Sequence, residues 1–166
     1  SGPSSSTTSQ DKELAKAAED TYQEIWDLQA PRSSAQGPTE KERSLYTEET
    51  YNDYVESAKT APPTKAVGRD KLLSMSTKTK LTSAGPTAAI EVCIEVHKKS
   101  VLIADIKNAE GKTLKKGTDV RTDQKGKPIK AGTEMVNLVT MKRGRHHDDP
   151  WKVDATQVGY KKSCSS

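Results

Sequence analysis

The first ten residues, SGPSSSTTSQ, contain no apolar side chain, and the apolar pattern begins only at Leu14. A stretch of this composition buries too little to offset the entropy of ordering it. Residues 1–10 therefore read as a flexible tether and 11–164 as a single domain. Leu14, Ala18, Tyr22, Ile25 and Trp26 then recur at three- and four-residue spacing, which predicts a helix with one apolar face. Ser9 is placed to cap it, with Asp11 and Glu13 suited to its positive end, and Pro31 ends it. The segment PRSSAQGPTE reads as a loop. A second helical region is expected from about Thr39, broken near Thr47. Its later part sets Tyr51, Tyr54, Val55 and Ala58 on one face before APPTK stops it.

After Pro63 the period changes from helical to alternating. KLLSMSTKTKLT alternates apolar or long residues with Ser and Thr, as a half-buried strand does. In TAAIEVCIEV, Ile90, Val92, Ile94 and Val96 point one way, while Glu91, Cys93, Glu95 and His97 point the other. SVLIADIKN reads as a third strand, TEMVNLVTMK as a fourth and WKVDATQVGY as a fifth. NAEGK is a tight turn in which Gly111 supplies a positive φ. KTLKKGTDVRTDQKGKPIK reads as a short strand with an exposed loop, and no internal repeat is read. Helices first and antiparallel strands afterwards predict an α+β domain, its N-terminal helices packed on a curved antiparallel sheet.

Composition narrows this picture. Of the 166 residues, 31% are hydrophobic and 30% charged, and there is no Phe. That is a lean core for a domain of this size, so a covalent staple is worth more than usual. No apolar run approaches the length of a membrane span. Before residue 64 there are twelve acidic and six basic residues; after it, eleven acidic and twenty-one basic. The lysines are spread over several strands and loops, as on a solvated sheet surface. They lack the interleaved aromatics on which a single-strand binder stacks bases, so nucleic acid is not an expected partner. A module binding an anionic envelope polymer remains the weaker alternative.

AAIEVCIEV followed by VLIADIKNAEGK, then NLVTMKRG, then PWKVDATQV and a cysteine near the end form an ordered set. With two helices ahead of it, this set resembles the nuclear transport factor two-like, or ketosteroid-isomerase-like, superfamily. More narrowly it resembles the small surface lipoproteins of actinobacteria. The loop RGRHHDDP departs from the tight turn usual before that tryptophan. The resemblance implies a cone-shaped fold with a cavity between helices and sheet. It also implies a protein on the extracellular side of the cell membrane, held by a lipid at the head of a Ser/Thr-rich tether, or alternatively secreted.

Candidate chemistry is sparse. His146, His147, Asp148 and Asp149 are adjacent in an extended segment whose side chains alternate sides, so they read as a hairpin tip rather than a metal site. Neither a metal nor a cofactor is expected. Asp105, interrupting VLIADIKN, is the candidate base if its strand face lines the cavity, as cavity acids do in the enzymes of that superfamily. Tyr22, Trp26, Tyr51 and Tyr54 either pack the core or line a small apolar pocket. Cys93 falls on the strand face opposite the aliphatics. Lys161 to Ser163 form a lead of about 10 Å, long enough to cross about two strands and bring Cys164 to it. The alternative is two free thiols. These readings give a non-catalytic envelope domain binding a small apolar ligand or an envelope protein through its cone or sheet, with a homodimer through the sheet as one arrangement. The alternative is an isomerase- or dehydratase-like enzyme with Asp105 as base.

Overall fold

The computed structural model describes residues 2–164, with side chains described from Ser9 onward. Helix α1 (Gly2–Gln29) is followed by a 3-10 helix (Glu40–Leu45) and α2 (Glu48–Thr60). The strands are β1 (Thr64–Val67), β2 (Lys71–Thr82), β3 (Gly85–Glu95), β4 (Lys99–Leu102), β5 (Ile106–Lys107), β6 (Thr113–Leu114), β7 (Glu134–Lys142) and β8 (Lys152–Lys161). β2, β3, β7 and β8 form a four-stranded antiparallel sheet in that order, curved and unclosed, with the N-terminal helices against it. The class is α+β, as the change of period predicts.

α1 starts earlier than the apolar pattern suggests. Pro3 falls in its first turn, where a missing N–H costs no helical bond. Ser9 thus lies inside the helix and does not cap it. The expected tether at 1–10 rests mostly on side chains 1–8, which lie outside the described residues. The helix ends at Gln29, since the residue before Pro31 is biased away from helical geometry.

The alternation in β3 decides where the core sits. Ala88, Ile90, Val92 and Ile94 are all sealed, Ile90 and Val92 completely. They pair across the sheet with Met141, Val139, Asn137 and Met135 of β7. Ala18, Tyr22 and Ile25 of α1 close over them, with Tyr46, Tyr51, Trp151 and Val153 completing the cluster. Fully burying a side chain such as Ile90 contributes about 1.5–3 kcal/mol. At the start of β3, Gly85 has φ +126°, and a Cβ there would collide with the carbonyl oxygen of Arg143. No other residue type fits this turn.

Two expectations need correction. SVLIADIKN is not one strand of the main sheet. β4 pairs with β1 in a separate ladder, Thr64 opposite Leu102 and Val67 opposite Lys99. The chain then bends, and β5 pairs with β6 over two residues. The bend is fixed by the Ile103 N–H donating to the Pro63 carbonyl at 3.0 Å and by Asp105 accepting the Lys116 N–H at 2.8 Å.

The second correction is that the chain does repeat itself. NAEGKTLKKGTDV (108–120) and DQKGKPIKAGTEM (123–135) carry Gly, Lys, Lys, Gly and Thr at equivalent positions. The backbone follows. Asn108 Oδ1 accepts the N–H groups of Glu110 and Lys112, and Asp123 Oδ1 those of Lys125 and Lys127. Gly111 and Gly126 have φ of 79° and 78°. The Gly117 N–H donates to the Leu102 carbonyl and the Gly132 N–H to the Val96 carbonyl, at 2.8 and 2.7 Å. The first copy stays at the small ladders; the second feeds directly into β7.

Candidate functional site

The curved sheet and the helices do not close completely on each other. Between them lies a half-open cavity of about 570 Å³. The C-terminal half of α1 forms one wall through Tyr22, Ile25, Trp26 and Ala30. Tyr54, Ser57 and Ala58 of α2 form a second, and Ile94, Met135, Asn137, Val153 and Thr156 of the sheet form the floor. The wall exists because α1 turns a continuous apolar face inward over its last turns, while α2 contacts the sheet chiefly at β8. The loop that follows α1 adds Ser33, Ser34, Gly37 and Pro38 to the lining.

Three of the four aromatic residues named from sequence line this cavity: Tyr22, Trp26 and Tyr54. Tyr51 does not. It is buried against the 3-10 helix, its hydroxyl donating to Glu40 at 3.3 Å and its ring under the Arg43 guanidinium at 5.2 Å. The phenols on the wall are strongly neutral. Burial raises the Tyr22 and Tyr54 pKa values and pushes Tyr46 up to about 12. Tyr46 accepts a bond from Gln29 at 3.0 Å, and Tyr54 donates to Thr156 at 2.8 Å. Among the described residues the buried polar side-chain atoms without a hydrogen-bond partner are Thr64 Oγ1 and Trp151 Nε1, and neither residue lines the cavity.

One side of the cavity is charged. Asp70 is held by Arg121 through two parallel bonds of 3.0 and 2.8 Å, and its Oδ1 accepts the N–H groups of His97 and Lys98 at 2.9 Å. Burial works against its charge, but the arginine fork and the two amides outweigh it and hold the pKa below the usual 3.8. Arg32 grips Glu42 in the same two-pronged way, and Thr39 adds a further donor at 3.1 Å. That arginine holds the Glu42 pKa down despite its burial. Lys98 reaches across to donate from Nζ to the Arg32 carbonyl at 2.7 Å. Burial lowers its pKa from the ordinary lysine value, against the attraction of Asp70.

The remaining candidates lie elsewhere. Asp105 is exposed, bonded to the Lys116 amide and 3.8 Å from Lys115 Nζ, and it does not line the cavity. The condition for its use as a buried base is not met. His146 and Asp149 close an exposed turn through two mutual bonds, and His147 sits beside Asp148 at 3.0 Å. Among the described residues no three His, Cys, Asp or Glu side chains gather as a metal set.

Cys93 and Cys164 are joined in a disulfide with Cα atoms 5.5 Å apart. The tail leaves β8, passes the end of β7 and reaches β3, the two-strand crossing that the short lead permits. The Cys164 N–H donates to Glu134 on the way, at 3.3 Å. Sequence reasoning missed Asp70, Lys98 and Arg121, which are charged residues scattered through separate turns. No family model, curated protein or solved structure matches the chain.

Proposed function

We propose that this chain is a non-catalytic binding module of the nuclear transport factor two-like cone type, working outside the cytoplasm and taking a small apolar ligand between helices and sheet. The observation that carries the reading is the cavity of about 570 Å³ lined by Tyr22, Ile25, Trp26, Ile94 and Met135. Its size and mostly apolar walls are those of small-molecule sites, with Arg32, Asp70, Lys98 and Arg121 adding charged groups to the lining. A domain this short of apolar residues leaves such a space unfilled at a cost in packing. A ligand would recover that packing.

The cone-type assignment is supported by helices lying over a curved antiparallel sheet with a cavity between them. The location outside the cytoplasm is supported by the Cys93–Cys164 disulfide, which persists in oxidising compartments and is rare where thiols are kept reduced.

The test is calorimetric titration with a neutral apolar probe, 1-decanol, on the oxidised protein and on Met135→Trp. The tryptophan fills the floor of the cavity. The reading predicts saturable one-to-one binding that the variant weakens at least about tenfold while melting near the parent temperature. It also predicts that ligand at about 100 times its Kd stabilises the fold by about 2.7 kcal/mol. Absence of saturable binding, or binding unaffected by Met135→Trp, would overturn it.

A further inference from the structure

We infer that the occupant of the cavity is an amphipathic carboxylate, an apolar body ending in a single negative charge, and that Lys98 receives the carboxylate. This rests on the reading of the cavity as a small-molecule site and adds the chemistry of its ligand.

The charge balance at the cavity's polar side carries the argument. Four charged side chains line it, Arg32, Asp70, Lys98 and Arg121, with Glu42 behind Arg32 and the exposed Arg69 also acting on Lys98. Arg32 is neutralised by Glu42 and Arg121 by Asp70, each through a two-pronged pair. Lys98 is left with no acid of its own. Asp70 attracts it, but both Asp70 oxygens are held by Arg121, and one also accepts two backbone amides. Among the described residues the only acceptor on Lys98 Nζ is the neutral carbonyl of Arg32.

An ammonium group has three donors and no acceptor, so two donors and one positive charge remain unspent. The depressed pKa of Lys98 agrees with this, since its burial is only partly compensated. Such a lining accepts a ligand that brings acceptors and a negative charge. It disfavours a cation, which would meet Lys98 with no acid of its own and Arg121 and Arg32 with their acids already engaged. Among the described residues Lys98 is the one cation on the cavity lining without an ion-pair partner, which matches one carboxylate; a phosphate monoester near its dianionic form would leave a charge unpaired in a partly buried site. The walls of Ile25, Trp26, Ile94, Met135 and Val153 take the apolar body.

The experiment compares decanoate with 1-decanol, which share a chain and differ in the charged head. Each is titrated calorimetrically at neutral pH, below its aggregation concentration. A charge-assisted hydrogen bond from a partly buried donor corresponds to about 10- to 100-fold in affinity. The wild-type protein is therefore expected to prefer decanoate over decanol by about that ratio. Lys98→Met removes the preference, bringing the decanoate-to-decanol affinity ratio to about one. Lys98→Gln keeps a polar N–H donor but has no charge, and it loses the preference too, which separates charge from polarity. Equal wild-type affinity for the two probes would overturn the carboxylate assignment while leaving the cavity reading intact. A preference that survives both substitutions would remove Lys98 from the role. Failure of both probes to bind would bring down the cavity reading and this inference together.

Discussion

The two faces of the central sheet are held by different forces, although β3 supplies residues to both. On the helix side, Ala88, Ile90, Val92 and Ile94 lie sealed under α1 and against β7. On the other side the alternate residues are Glu91, paired with Lys161 at 2.7 Å, and Cys93, bonded to Cys164. Across the ladders their neighbours are Ser74, Ser76, Val136 and Leu138, of which Val136 is buried beside the disulfide. One face is stabilised by burial, while the other adds a covalent link and a surface ion pair to the smaller burial of Cys93 and Val136. The covered face is also the one that stays imperfectly filled, since the cavity is lined by α1, α2 and the sheet together. A chain with 31% hydrophobic residues and no Phe has enough apolar surface to seal one face of a sheet but not two.

The largest expected effect comes from breaking the staple. Replacing both Cys93 and Cys164 with Ala opens a loop spanning 71 residues. On the chain-entropy model it should lower stability by about 4 kcal/mol, measured by urea unfolding. A loss under about 1 kcal/mol would show that the open face holds without its link. Next comes Asp70→Asn on the charged side of the cavity, expected to cost about 3 kcal/mol because it leaves Arg121 partly buried without its acid.

The same pair sets an acid limit. The folded Asp70 and Glu42 pKa values lie below the ordinary 3.8 and 4.5, so these groups add stability at pH values above the ordinary ones. That stability is lost as pH falls through the folded values. The denaturation midpoint should therefore drop on acidification below about pH 4, and drop less steeply in Asp70→Asn. An unchanged slope in the variant would remove Asp70 from the account. Ile90→Val deletes one fully buried methyl group and is expected to cost about 1 kcal/mol. Glu91→Gln on the open face breaks a half-exposed pair and should move the melting temperature by no more than about a degree. If it cost more than Ile90→Val, the contrast between the faces would fail.

What the sequence made legible follows the same division. Period-two alternation in AAIEVCIEV assigns each side chain of β3 to a face, and with it the position of Cys93. The staple could then be reasoned from chain reach. Helical spacing placed Tyr22, Trp26 and Tyr54 together, but it could not tell Tyr51 from Tyr54, because both lie on the inward side of α2. Their separation is decided by Glu40 and Arg43, which come from a different element. The pairing of β4 with β1 was hidden because TKAV is four residues long and follows a proline pair. Asp105 read as part of a strand because the bend before it is fixed by bonds to Pro63 and Lys116, distant in sequence. The charged cluster of Asp70, Lys98 and Arg121 leaves no local pattern, since only the tertiary fold gathers three turns. The repeat was within reach: aligning NAEGKTLKKGTDV on DQKGKPIKAGTEM exposes it. Its shared residues are turn formers, which hydrophobic periodicity does not weigh.

The most direct test of the central claim is backbone amide NMR of the isotope-labelled oxidised protein during titration with decanoate. The account predicts saturable shift changes at residues around the cavity, among them Ala30, Ser33, Lys98 and Asn137. It predicts little change at Glu91, Leu138 and Thr140 on the open face. Changes confined to the open face, or no saturable changes at all, would contradict it.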